Sequence, residues 1–392
     1  VRILFTLLGN SRRSNYLTGD TIRNGGGGAS GTDTSTILVA EHLASKGHEV
    51  VIVSDELEPQ LENNLRKNGS TFQWGTVSNG VTYSNFKFEN VENKTFDILV
   101  NSLWFHNYEN LPVTITKGLI YWCHMQWLYG MGEIINYVNK HNLKLGIVNI
   151  SNWEKSCTEP IVQAIFNNVK VPTERSLIPN PVFDEIITKT LSKNIQRKKH
   201  KFIFHASWPR GGNVAIESVR RLPYPDKEFH AFDYLMVIHA HQDDFFHIHN
   251  GVDKETLFHH LAESEYFIYP LYTPYQDVHK DTFSCVVAEA LALGTSVLTY
   301  PLGALPENFD GLCHWLDFPE GVDVQKMQAE PLSKDYEGKF KITSNIVDKI
   351  KFLEDNPNLK EEKQIKGREY VLDKFNLNKI GSMWESFLNN FL

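Results

Sequence analysis

Tyr269-Pro-Leu-Tyr-Thr-Pro-Tyr-Gln-Asp-Val-His-Lys-Asp-Thr-Phe-Ser-Cys-Val-Val-Ala-Glu-Ala-Leu-Ala-Leu-Gly-Thr-Ser-Val297 leads from an apolar, β-prone segment through a polar loop into a run of small and apolar residues that stops at Gly294. A buried strand, a loop, a helix and a second strand in that order predict a parallel α/β unit, with its ligand at the carboxyl end of the strand. The spacing predicts a helix beginning near Thr282, with Asp281 beside its N-terminus and Glu289 about two turns inside. The free amides of such an end, Thr282, Phe283 and Ser284 among them, can hold a phosphate or a sugar hydroxyl. Asp281 and Glu289 lie eight positions apart, so both carboxylates can face one ligand and accept hydrogen bonds from sugar or ribose hydroxyls. Taken alone, the same residues also fit an aspartate cap and a solvated helical glutamate.

Outward from this stretch the pattern repeats. Toward the C-terminal half come a strand at Phe202 to Ala206, a helix from Asn213, a strand at Tyr234 to His239, a helix from Asp253, a strand at Tyr266 to Tyr269, a helix with its body from Ser284 and a strand at Ser296 to Thr299. The N-terminal half opens on Val1 to Leu8, an unbroken apolar run suited to a strand buried on both faces. An amphipathic helix over Thr34 to Ser45 follows, with Asp33 or Thr34 as its cap and Gly47 past its end. Further strands are expected at Val50 to Val53, Ile98 to Val100, Leu119 to Trp122 and Leu145 to Ile150. The pattern pauses near Ile178-Pro-Asn-Pro-Val182, and a basic polar run from Lys189 to Lys201 separates the halves. The expected fold class is α/β, two Rossmann-like domains facing across a cleft: residues 1–180, residues 181–375, and a last helix over 376–392 packing back on the first domain.

At 392 residues the chain is long enough for two cores, and 41% hydrophobic with 22% charged residues is an ordinary globular composition. A net charge of -8 argues against binding nucleic acid or anionic lipid through overall charge, so any anion must be held locally. Cys123, Cys157, Cys285 and Cys313 form no CxxC pair and read as reduced core thiols, consistent with a cytoplasmic protein. Val1 to Leu8 is too short for a signal peptide's apolar region, and no stretch reaches membrane-spanning length without charges. The N-x-S/T sequons at Asn68, Asn93 and Asn149 are therefore read as chance matches.

Other constellations carry chemistry. In Phe202-Ile-Phe-His-Ala-Ser-Trp-Pro-Arg210-Gly-Gly-Asn a strand ends in a turn presenting an arginine, which can meet two phosphate oxygens at once and stabilise a departing diphosphate. Tyr121-Trp-Cys-His124 ends a strand at the edge where ligands of open α/β sheets collect. Gly26-x-Gly28-x-x-Gly31 fits a dinucleotide fingerprint with Asp55 as ribose acceptor, although the glycines lie well after the first strand. His239-Ala-His241-Gln-Asp243-Asp244, with His247 and His249 nearby, approaches a zinc hydrolase spacing but lacks clear further ligands.

Phe283, Glu289, Gly294 and the trailing Leu302-Gly-Ala-Leu-Pro-Glu307, with their spacing, resemble the acidic donor motif of retaining GT-B glycosyltransferases of family 4. That resemblance covers most of the chain. It implies that Glu289 holds the ribose hydroxyls of a nucleotide-diphosphate sugar, and that Asp281, with the amides of Thr282, Phe283 and Ser284, holds the sugar. Here an aspartate replaces the family's first glutamate, shortening the reach by roughly 1.5 Å. The family's turn carries two basic residues five apart; Arg210 looks like the second, and the first position is His205. The resemblance further implies that Gly28 and Gly31 let backbone approach the diphosphate, that Gly251 and Val252 border the base, and that His124 meets the donor sugar. Arg210, Asp281 and His124 are the implied catalytic residues. The implied reaction retains anomeric configuration, uses no cofactor or metal, and transfers to a glycan, glycoprotein or glycolipid acceptor, with no nucleic acid and no transmembrane segment involved. A catalytically silent sugar-nucleotide binder, an NAD enzyme and a zinc hydrolase remain open alternatives.

Overall fold

The computed structural model describes residues 1–7, 17–24, 28–54, 74–102, 108–126, 128, 130–233, 244–271, 280–318, 320 and 336–392, the side chains of 336–340 excepted. They divide into two compact units, Val1–Pro181 with Phe375–Leu392, and Val182–Lys374. In the first unit the elements run β1 (Arg2–Thr6), α1 (Gly19–Asn24), α2 (Gly31–Ser45), β2 (Glu49–Val53), β3 (Thr76–Ser78), β4 (Val81–Ser84), β5 (Thr95–Asn101), β6 (Thr114–Cys123), α3 (Met131–His141), β7 (Lys144–Asn149), α4 (Asn152–Asn168) and β8 (Thr173–Leu177). The second unit holds α5 (Asp184–Ser192), β9 (Lys198–His205), α6 (Gly212–Arg220), β10 (Glu228–Asp233), β11 (Phe246–Asn250), α7 (Lys254–Glu263), β12 (Ser264–Tyr269), α8 (Cys285–Ala292), β13 (Ser296–Thr299), α9 (Leu305–Phe309), β14 (His314–Trp315), α10 (Tyr336–Asp355) and α11 (Pro357–Lys374). The last helix, α12 (Leu377–Asn389), belongs to the first unit.

The first sheet has the order β3-β4-β2-β1-β5-β6-β7-β8, parallel throughout except for the β3–β4 pair. The second has the order β11-β10-β9-β12-β13-β14 and is wholly parallel. In both, strand order reverses beside the unit's first central strand, between β1 and β5 and between β9 and β12. These are the switch points at which open α/β sheets gather ligands. Fully buried strand residues such as Ile3, Leu4 and Phe5 of β1 and Phe202, Ile203 and Phe204 of β9 explain the apolar runs, since helices cover both faces.

Several expectations need correction. Helix α2 begins at Gly31, and its cap is Ser30 rather than Asp33 or Thr34. The Ser30 hydroxyl accepts from the Asp33 amide at 3.3 Å, while the Asp33 carboxylate accepts from the Ser30 amide at 2.8 Å. The basic run from Lys189 to Lys201 is no loose connection: α5 buries Ile186 and Ile187, and Lys189 and Lys193 both pair with Glu255. Strands β3, β4, β8, β10, β11 and β14 were not expected, being short or rich in polar residues. The strand expected at Tyr234 to His239 lies outside the described residues. Of the cysteines, Cys123 and Cys313 are buried, whereas Cys157 and Cys285 are half-buried.

Helix α12 docks through aromatic residues. Trp384 is fully buried with its ring 4.6 Å from that of Trp122, and Phe391 fills the space that Gly118 and Gly146 leave on β6 and β7. Its Gly381 lies against the ring of His42 on α2, which meets Glu385 at 2.6 Å. Among the described residues no helix is long and apolar enough to cross a membrane.

Candidate functional site

At the switch point of the second unit, the segments leaving β9 and β12 converge. After β9 the chain makes a short 3-10 turn, Trp208–Arg210, and reverses at Gly211, whose φ of 114° suits glycine and whose α-carbon packs on Pro270. This geometry aims Arg210 at the end of β12. There its guanidinium ion-pairs with Asp281 and donates to the Tyr269 hydroxyl at 2.9 Å, while Tyr269 donates to Asp281 Oδ2 at 2.9 Å. Asp281 is buried, whereas the Arg210 side chain is about one-third exposed. Burial, more than the neighbouring charges, pushes the Tyr269 phenol well above its ordinary range and keeps it a neutral donor.

Helix α8 starts after Thr282, with Ser284, from which its body was also expected, as the N-cap. It begins at Cys285, and Ser284 before it is left-handed at φ 73°, a conformation costly for a side-chain-bearing residue. The cause is tertiary. The Ala304 amide donates to the Asp281 carbonyl at 2.8 Å, and Gly303 at φ 61° packs so tightly that a β-carbon there would stand 2.4 Å from the same carbonyl. Asn308 donates to the Phe283 carbonyl at 3.1 Å. The loop after β13 thus holds residues 281–283 out of helix. The amides of Thr282, Phe283 and Ser284 are therefore not the helix's first turn, and the eight-residue helical spacing between Asp281 and Glu289 does not apply.

Glu289 remains inside α8 but faces Lys254, the first residue of α7, at 2.6 Å, with both side chains almost wholly buried. Its second carboxylate oxygen, Glu289 Oε2, has no hydrogen-bond partner among the described residues, nor has the Ser284 hydroxyl. An ionised acid buried with one oxygen unmatched is costly, and a hydroxyl donor from a ligand would satisfy it. Lys254 is separated from Gly251 and Val252 by Asp253 alone. Gly251 turns at φ 63° with its amide donating to the Asp233 carbonyl at 3.2 Å, and Asp253 caps α7. The base-side loop and the acid expected to hold the ribose are joined through Lys254.

Sequence reasoning missed Lys254 and Tyr269. The signal for Lys254 lay beside it, in a cation one residue after an N-cap and two after Val252. Tyr269 was legible as the last residue of a strand next to the switch point. His205, where the resemblance led one to look for a basic residue, is buried at the end of β9. Burial and then the Lys254 charge drive its pKa well below the usual histidine value, so it is neutral. Lys254 is the nearby cation that His205 is not.

In the first unit, Gly28 is half-buried before the Ser30 cap, and Gly31 opens α2. His124 follows β6 at the carboxyl edge, its ring tilted against that of Trp122 with centroids 4.5 Å apart, and burial lowers its pKa to about 3. It is a neutral imidazole. Gly26, Asp55, His239, His241 and Asp243 lie outside the described residues; Asp244 is exposed, and His247 and His249 are on β11.

No family model matches the sequence. No curated protein matches it either. Solved structures do. The chain is similar to sucrose-phosphate synthase from Thermosynechococcus elongatus, at 11% identity and a TM-score of 0.64 over 99% of this chain and 98% of that one. It is also similar to an alpha-glucosyltransferase in complex with UDP-glucose and DNA containing an abasic site, at 11% identity and 0.56 over 99% of each. A third likeness is to a trehalose-6-phosphate synthase, at 7% identity and 0.55 over 100% of both chains. The fold is the two-domain α/β fold of GT-B glycosyltransferases.

Proposed function

We propose that the chain is a glycosyltransferase whose second unit holds a nucleotide-diphosphate sugar, and that it moves the sugar to an acceptor hydroxyl with retention of configuration. The observation that carries this reading is Glu289. It is a buried acid, fixed by Lys254 on one oxygen and unmatched on the other, beside the Gly251-Val252 loop and at the carboxyl edge of a doubly wound sheet. Such an oxygen suits a ribose hydroxyl, which donates. Arg210, one-third exposed at the end of β12, would meet the diphosphate, and Asp281 with Tyr269 sets its orientation.

In the reaction the bond between the sugar's anomeric carbon and the diphosphate oxygen breaks. The acceptor oxygen bonds that carbon, its proton passes to the departing phosphate, and a nucleoside diphosphate leaves. Arg210 carries part of the negative charge that develops on the leaving group, and no cofactor or metal enters the step. Residues 1–180 would serve the acceptor side, with His124 as a neutral group near the sugar and Gly28 and Gly31 near the diphosphate. The acceptor is a glycan, glycoprotein or glycolipid. The Arg210–Asp281 ion pair also favours a second reading, a sugar-nucleotide binder without turnover, because the cation is already matched.

Calorimetry with a panel of nucleoside diphosphates tests the shared premise. Glu289→Ala and the better-shaped Glu289→Gln should each weaken binding by about 1–3 kcal/mol. Unchanged affinity in folded variants overturns the placement of the ribose. Slow hydrolysis of a bound nucleotide sugar by the wild-type chain separates the transferase from the silent binder.

A further inference from the structure

The parallel pairing of β10 with β11 sets His230 opposite His247 and Phe232 opposite His249, so these four residues share one face of the sheet. Helix α7 brings His260 onto that face, with ring centroids 5.1 Å from His230 and 4.8 Å from His249. We propose that His230, His249 and His260 form a binding site for a divalent cation of the zinc class, outside the transfer step.

Among the described residues, these three offer ligand atoms that all lie within 4.8 Å of one another. His230 Nδ1 and His249 Nε2 are 3.0 Å apart. Two nitrogens bound tetrahedrally to zinc at about 2.0–2.1 Å stand about 3.3 Å apart, close to the spacing of this pair, whose rings would turn from facing each other to facing the ion. The remaining nitrogen of His230 faces Glu228 at 3.2 Å. That is the carboxylate–imidazole arrangement that orients a metal-binding histidine and raises its basicity. His260 Nδ1 lies 3.1 Å from the Lys201 amine, leaving Nε2 as the nitrogen without that contact. The Lys201 charge is itself matched by Glu263. Burial lowers all three pKa values, to about 2 for His230, about 4 for His249 and about 3 for His260, so the rings are neutral at pH 7 and keep a lone pair for a metal. Three imidazoles leave a fourth position for water, and imidazole suits zinc, nickel or copper far better than magnesium or calcium.

An ion here would fasten the sheet's edge strand β11 to α7, the helix that carries Lys254. Its effect would be on the stability of the second unit. The test uses the full chain, stripped of metal and titrated with cobalt(II). One equivalent should give visible ligand-field absorption, which zinc then abolishes. Zinc at a free concentration a hundredfold above its Kd should raise the thermal midpoint of wild type by about 5–10 °C. His249→Ala and His260→Ala should lose both responses while keeping a native circular dichroism spectrum. Should either variant fail to fold, His249→Gln and His260→Gln take its place. His239→Ala with His241→Ala should leave both responses intact. The proposal is overturned if one equivalent of cobalt gives no spectrum, if the spectrum survives loss of His249 and His260, or if it vanishes with His239 and His241.

Discussion

Lys254 and Glu289 show how much depends on single side chains here. The pair is buried on both sides, so removing one member strands a charge in a low-dielectric site. Lys254→Ala should therefore cost about 3–5 kcal/mol in urea unfolding of the second unit. Adding Glu289→Gln to it should recover part of that loss; a loss no smaller in the double variant would mean that packing, not charge, sets the cost. Glu154 in the first unit is a buried acid of another kind. Its Oε2 accepts from Asn149 at 2.8 Å, its Oε1 has no partner among the described residues, and burial raises its pKa to about 7. With a folded pKa above the unfolded one, the native state binds the extra proton. This group's stabilisation is full below the unfolded pKa and is lost as pH rises through 7. Glu154→Gln should accordingly stabilise the first unit more at pH 8 than at pH 5, the two differing by on the order of 2–3 kcal/mol in chemical denaturation. Glu289 and Arg210 were legible as candidate site residues because their types and neighbours suggest the chemistry. Their partners were not, since Lys254 and Tyr269 come from segments 35 and 59 positions away and only folding brings them near.

Among elements, the junction before α8 carries the instructive error. Asp281-Thr-Phe-Ser reads as the first turn of a helix by composition, yet the backbone hydrogen bond from Ala304 to Asp281 and the close approach of Gly303 hold it outside the helix. Local propensity is worth tenths of a kcal/mol per residue, and such tertiary contacts outweigh it. Gly303→Ala forces a shift of the Asp281 carbonyl and adds strain at φ 61°. It should destabilise the second unit by about 2 kcal/mol or more and weaken nucleoside diphosphate binding. A neutral result in both measurements would show that this loop does not set the position of Asp281. The cap of α2 erred by a smaller margin. Asp33 was correctly read as a helix-start residue, but in the capping box it is the third residue of the helix and Ser30 is the cap.

For the whole molecule, the two units differ in their response to acid. In the second unit, burial keeps His205 neutral and lowers His314 to about 3; both folded values lie under the unfolded one, so stability is lost as pH falls below about 6.5. In the first unit His124 behaves the same way, but Glu154 gains native stability over the same interval and offsets it. Hydrogen exchange at pH 7 and pH 5, corrected for intrinsic rates, should therefore show the larger loss of protection in peptides of residues 182–374. Equal losses would mean that other groups dominate the acid response.

What the sequence alone determined was the α/β class and the approximate carboxyl ends of the central strands, because apolar runs buried on both faces and the turns between them are local signals. It also singled out Arg210, Asp281 and Glu289 as candidates, whose chemistry can be named before any partner is known. The tertiary structure alone decided the sheet order, the left-handed turn at Ser284 before α8, and the pairing of each candidate side chain. Those depend on contacts between segments far apart in the chain, and no window of residues encodes the distance between its own members and the rest.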